Sequence, residues 1–155
     1  MSVNTILGAI ELGLLFSIMS FGVYVTFKVL DFPDLTVDGS FTAGAVTSAV
    51  LSIAGHPFLA ILGGTLVSCF AGMVTGFLHT KMKVNYILAG ILTMTGLYSI
   101  NLKIAGGTPN LSLFGVETIF TKFHDVLASI GLPTSILDHS NLILLLMIVI
   151  ICMLL

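Results

Sequence analysis

The sequence predicts an all-α fold: a polytopic transmembrane helical bundle of about five spans, with one amphipathic helix outside the membrane. Three observations lead there. Of the 155 residues, 57% are hydrophobic and only 8% are charged, against about 25% charged residues in a typical soluble domain. The 5 basic residues, all lysine, and the 7 carboxylates are too few to cover a water-soluble surface of this size. Of these charges, only Glu11 stands well inside a long apolar run; the rest gather in the connections.

The same composition excludes other classes. A net charge of −2 without a basic patch argues against nucleic-acid binding. Cys69 and Cys152 lie inside apolar runs, and His56, His79, His124 and His139 show no metal-ligand period. No phosphate loop, nucleophile elbow or zinc motif is present, so neither a catalytic set nor a cofactor is expected in this chain. Met1–Asn4 has no basic start and Glu11 interrupts the run that follows, which favours a first span over a cleaved leader.

The elements follow in order. Thr5–Phe27 is long enough to cross a core of about 30 Å at about 1.5 Å per residue. Lys28–Asp38 then forms a polar hinge, with Lys28, Asp31, Asp34 and Asp38 around Pro33. Gly39–Thr80 carries no charged residue and is too long for one crossing. Gly55-His56-Pro57 divides it into Gly39–Ala54 and Pro57–His79, because proline cannot continue a helix. His56 reads as a turn residue. After the tight basic connection Lys81-Met82-Lys83, Val84–Leu102 is the fourth span, with Asn85 at its start.

Lys103–Ser140 is the long segment outside the membrane, opening on the turn cluster Gly106-Gly107-Thr108-Pro109-Asn110. Within it Val116, Ile119, Phe120, Phe123, Val126, Leu127 and Ile130 recur at three- and four-residue spacing, which predicts an amphipathic helix ended by Gly131-Leu132-Pro133. Asn141–Leu155 is a fifth apolar run, shorter than the about 20 residues of a crossing. Residues 1–155 are therefore expected to form a single transmembrane domain, the N-terminal half of a longer protein. Lysines favour the cytoplasmic side. Setting Lys81 and Lys83 inside places Lys28 inside too, with the N-terminus and residues 103–140 outside.

Two groups of residues stand out. Ala60, Gly64, Ser68, Gly72 and Gly76 recur at every fourth position of the third span, a helix-packing pattern that serves either the chain's own bundle or a subunit interface. The second group consists of solute-pathway candidates. Asp34, Thr36, Asp38 and Ser40 fall in the Asp31–Phe41 stretch, which cannot be a lipid-facing helix. It reads either as a broken helix lining a solute path or as a loop with Asp38 or Thr36 capping the next span. Glu11, about two turns into the first span, must be paired, protonated or in contact with water, or else reach its own membrane surface. On the fourth span Thr93, Thr95, Tyr98 and Asn101 are cavity-lining or packing groups, since hydroxyls often bond their own helix.

Leu30-Asp31-Phe32-Pro33-Asp34-Leu35-Thr36-Val37-Asp38-Gly39-Ser40-Phe41 resembles a signature of bacterial ABC-importer permeases of the ribose/branched-chain amino-acid superfamily. The nearest subgroup is the one paired with tryptophan/tyrosine-type substrate-binding proteins. Gly90–Leu102 resembles a second block of that subgroup, and Gly106–Asn110 follows as it does there. The resemblance implies an inner-membrane permease for an amino acid or related solute. It further implies a second permease copy, cytoplasmic ATPase subunits that bind the ATP, and an extracytoplasmic substrate-binding protein. The family's coupling helix has no match in these residues. The competing expectation is a self-sufficient channel or proton-coupled carrier using Glu11 and the carboxylates of residues 31–38.

Overall fold

Apolar stretches punctuated by glycine, proline and asparagine form helices whose ends fall at that punctuation. The computed structural model describes residues 3–31, 34–108, 110–129 and 140–154, and every regular element among them is a helix. In chain order these are α1 (Val3–Leu30), α2 (Thr36–Ile53), α3 (Pro57–Thr80), α4 (Tyr86–Ile104), α5 (Ile119–Ser129) and α6 (Ser140–Leu154).

The ends have local causes. Asp31 leaves α1 in the left-handed region at φ 60, its N–H donating to the Phe27 carbonyl at 3.1 Å. Gly55 at φ 84 closes α2, and Pro57 occupies the first turn of α3, where its missing N–H costs nothing. Asn85 caps α4 by accepting from the Ile87 N–H at 3.0 Å. Gly106 and Gly107, at φ 75 and 83, follow its end.

Three helices are long and apolar enough to cross a membrane: Thr5–Val29, Pro57–Thr80 and Tyr86–Ile104. This is fewer than the five spans expected. α2 has 18 residues but is rich in glycine, serine and threonine, and α6 has 15. The helix expected at Val116–Ile130 begins only at Ile119; Val116 precedes it, and Ile130 with the Gly131-Leu132-Pro133 stop lies outside the described residues.

The acidic hinge is also shorter than expected. The hinge was expected to run to Asp38 with the second span starting at Gly39, yet α2 starts at Thr36 and takes in Thr36, Val37 and Asp38. Neither Thr36 nor Asp38 is the cap; the Asp34 Oδ1 accepts the Thr36 N–H at 2.8 Å. The helix tolerates its polar residues for two reasons. Asp38 lies in the first turn, where the helix dipole favours a negative charge. The hydroxyls of Ser40 and Thr42 donate to the carbonyls of Val37 and Asp38, at 3.1 and 2.9 Å.

The chain falls into two compact units, Met1–Phe21 with Thr118–Leu155, and Gly22–Glu117. In the first, α5 packs on α6. In the second, α2 packs on both α3 and α4, which also touch each other. It runs antiparallel to α3, with Ser48 beside Ala60, Gly44 beside Gly64, Ser40 beside Ser68 and Thr36 beside Thr75. It runs parallel to α4, with Leu35 beside Gly90 and Gly39 beside Met94. The three helices thus alternate in direction along the chain. The core is formed by Ala43 of α2, Ala71 of α3 and Leu97 of α4, with Val67 packed against it.

Candidate functional site

The α2–α3 contact is built from small residues and hydroxyls. A Cβ on Gly44 would collide with the Ser68 hydroxyl and stand 3.2 Å from the Gly64 carbonyl oxygen; one on Gly64 would stand 2.9 Å from the Gly44 oxygen. Glycine is required at both for the backbones to touch. The Ser48 hydroxyl donates to the Ala60 carbonyl and the Ser68 hydroxyl to the Ser40 carbonyl, each at 2.9 Å. The hydroxyls of Thr36 and Thr75 meet at 2.8 Å, with Thr36 only 1% exposed.

The every-fourth stripe on α3 therefore divides. Ala60, Gly64 and Ser68 face α2, whereas a Cβ on Gly72 or Gly76 would meet nothing within 4 Å. Residues four apart are offset by about 40° on a helix of 3.6 residues per turn, so the stripe winds off the contact within a few turns. Ala71 and Thr75 take over the inward face.

The pathway candidates are dispersed. Glu11 is half-buried on α1 and has no hydrogen bond or ion pair among the described residues. Asp34 accepts the Thr36 N–H just before the Leu35 N-cap, Thr36 is engaged in the Thr75 contact, and Asp38 is exposed. Ser40 bonds its own helix. On α4, the Thr93 and Thr95 hydroxyls donate to the Ala89 and Ile91 carbonyls at 3.0 and 2.7 Å. Tyr98 is 71% exposed. Asn101 is different: it is 6% exposed, and its Oδ1 has no hydrogen-bond partner among the described residues.

Sequence reading missed Thr47, whose Oγ1 is likewise buried without a partner among the described residues. It also missed the partner stripe Ser40-Gly44-Ser48 on α2, although its small residues at four-residue spacing were visible. Phe41, Ala45, Ser48, Ile61, Thr65 and Cys69 help line an open, mainly apolar groove of about 590 Å³ along the α2–α3 pair. In the other unit, Thr118, Phe120, Thr121, His124, Asp125, Ser140 and Asn141 line a cavity of about 520 Å³. Its His124–Asp125 pair is 3.8 Å apart and open to solvent, so it contributes little. Among the described residues no three His, Cys, Asp or Glu side chains gather as metal ligands.

Comparison with known proteins gives a consistent answer. The family described as branched-chain amino acid transport system, permease component, matches residues 5–155. The chain is 46% identical over 116 residues to a tyrosine transport system permease protein of Clostridioides difficile (strain R20291), covering 74% of this chain and 39% of that protein. It is 31% identical over 118 residues to an uncharacterized protein of Rickettsia prowazekii (strain Madrid E), covering 76% of this chain and 41% of the relative. The chain thus spans about two fifths of the length of these curated relatives. No solved structure matches it.

Proposed function

The chain belongs to the family of branched-chain amino acid transport system permease components, and we propose that it is membrane-spanning machinery of an ATP-driven importer for an amino acid or related small organic solute. The observation that carries this reading is the family match over residues 5–155, supported by three long apolar helices and by the alternating directions of α2, α3 and α4. The tyrosine permease relative makes an aromatic amino acid the first solute to try.

In this reading the permease performs no bond chemistry. ATP is bound and hydrolysed by cytoplasmic partner subunits, an extracytoplasmic binding protein delivers the solute, and a second permease copy completes the pathway in the bacterial inner membrane. Residues 1–155 are one transmembrane domain of about five crossings, α2 and α6 being the two shorter ones. Residues 103–140 lie outside with an amphipathic helix on the membrane surface, and the Lys81–Lys83 turn lies inside. Glu11, Asp34, Thr36, Asp38, Ser40, Thr93, Thr95, Tyr98 and Asn101 are the pathway residues. The exposed members contact the remainder of the assembly, and the engaged ones hold α2 and α4 in register.

The test is uptake of labelled tyrosine by the whole permease in proteoliposomes, with its ATPase subunits and binding protein. Uptake that requires enclosed ATP is expected. Equal uptake by the permease alone would overturn the ATP-driven reading in favour of a self-sufficient carrier.

A further inference from the structure

The turn between α3 and α4 carries two cations that the described residues do not neutralise. Lys81 and Lys83 are exposed, and neither side chain has an ion pair or hydrogen bond among the described residues. No Asp or Glu occurs between Gly39 and Val116, so α3, α4 and the turn itself hold no carboxylate. The start of α2 shares this end of the unit, since Thr36 meets Thr75 near the end of α3. Its Asp34 accepts the Thr36 N–H, and its exposed Asp38 pairs with neither lysine.

The two helices fix where these cations stand. α3 and α4 are each long and apolar enough to cross a membrane, and only residues 81–85 join them. The turn therefore lies at the bilayer surface, among the headgroups. It is also held in one shape. The N–H groups of Lys81 and Met82 donate to the Phe77 carbonyl at 2.9 and 3.4 Å, and that of Val84 to the Leu78 carbonyl at 3.2 Å. His79 Nδ1 donates to the Val84 carbonyl at 2.9 Å. Lys83 stands in the left-handed region at φ 54, where glycine would be free of strain. A lysine at a strained position points to a use for its ammonium group.

We propose that Lys81 and Lys83 form a binding site for the phosphate of an anionic phospholipid. At the bilayer surface, headgroup phosphates are the anions at highest local concentration, and lysine stems are long enough to reach them. The proposed orientation sets this turn on the cytoplasmic side, where anionic headgroups concentrate. The site does not depend on which solute the permease carries.

The test is the thermal unfolding midpoint of the whole permease in neutral detergent, titrated with phosphatidylglycerol, phosphatidylcholine or inorganic phosphate. Only phosphatidylglycerol is expected to raise the wild-type midpoint. Lys81→Gln and Lys83→Gly should each need about fivefold more of it for the same shift. Lys83→Gly relieves the left-handed strain, so it keeps the test open if Lys81→Gln fails to fold. Lys103→Gln, at the far end of α4, should titrate as wild type does. An equal shift with phosphatidylcholine, an undiminished shift in both turn variants, or an equal loss in Lys103→Gln would overturn the site. An equal response to inorganic phosphate would overturn the lipid as its ligand. A wild type that ignores phosphatidylglycerol would overturn the proposal too, and loss of ATPase copurification in Lys83→Gly would then assign the turn to that partner.

Discussion

Asp34 does two jobs that a reading of charge alone does not separate. As a carboxylate it belongs to the acidic hinge, but its Oδ1 is committed to the Thr36 N–H at 2.8 Å, one of the orphan donors of α2. Asp34→Ala is therefore expected to cost about 1 kcal/mol of stability, as loss of one hydrogen bond to a helix-end N–H does. Asp34→Asn, which keeps the acceptor, should cost much less. Denaturant unfolding of the permease in detergent checks the pair, and equal losses would refute the role of this hydrogen bond. Asp38 is exposed and its carboxylate has no bond partner among the described residues, so Asp38→Asn is expected to leave abundance unchanged while lowering uptake. Equal loss of protein and uptake would instead assign it to folding. Asp34, Asp38 and Thr36 were legible as a cluster. Which of them bonded the Thr36 N–H, which was buried and which stayed free was not, because all three fates are open to an oxygen near a helix start.

At the scale of the helix pair, α2 and α3 adhere through glycines and hydroxyls rather than through large apolar side chains. Lipid tails are as apolar as leucine, so close backbone approach supplies the attraction. Gly44→Ala and Gly64→Ala each place a methyl against backbone or a hydroxyl that is already bonded, and each is expected to destabilise by about 1–3 kcal/mol. Gly72→Ala and Gly76→Ala have open space and should be neutral or stabilise by about 0.5–1 kcal/mol. The contrast is read as membrane abundance and unfolding midpoint; four similar outcomes would refute the division of the stripe. The regular spacing of Ala60, Gly64, Ser68, Gly72 and Gly76 was plain in the sequence. Its splitting follows from the helix turning about 40° past each fourth residue, so only a straight neighbour's limited reach decides where contact ends.

For the molecule in its membrane, the alternation of α2, α3 and α4 fixes which connections share a side. With Cys69 and Cys152 first replaced by serine, Thr108→Cys is expected to react with an impermeant maleimide on intact cells, and Met82→Cys only after permeabilisation. The reverse pattern would invert the orientation while keeping the bundle. The apolar runs, the break at Gly55-His56-Pro57, the Asn85 start and the membrane assignment were all determined by the sequence alone, because backbone polar groups in lipid must bond within their own segment, which favours helices, and turn residues mark where those helices end. The early start of α2, the parallel α2–α4 register, the Thr36–Thr75 contact and the unpaired oxygens of Thr47 and Asn101 were decided only by tertiary structure. Each depends on which face meets which neighbour, and one-dimensional periodicity names a face without naming its partner.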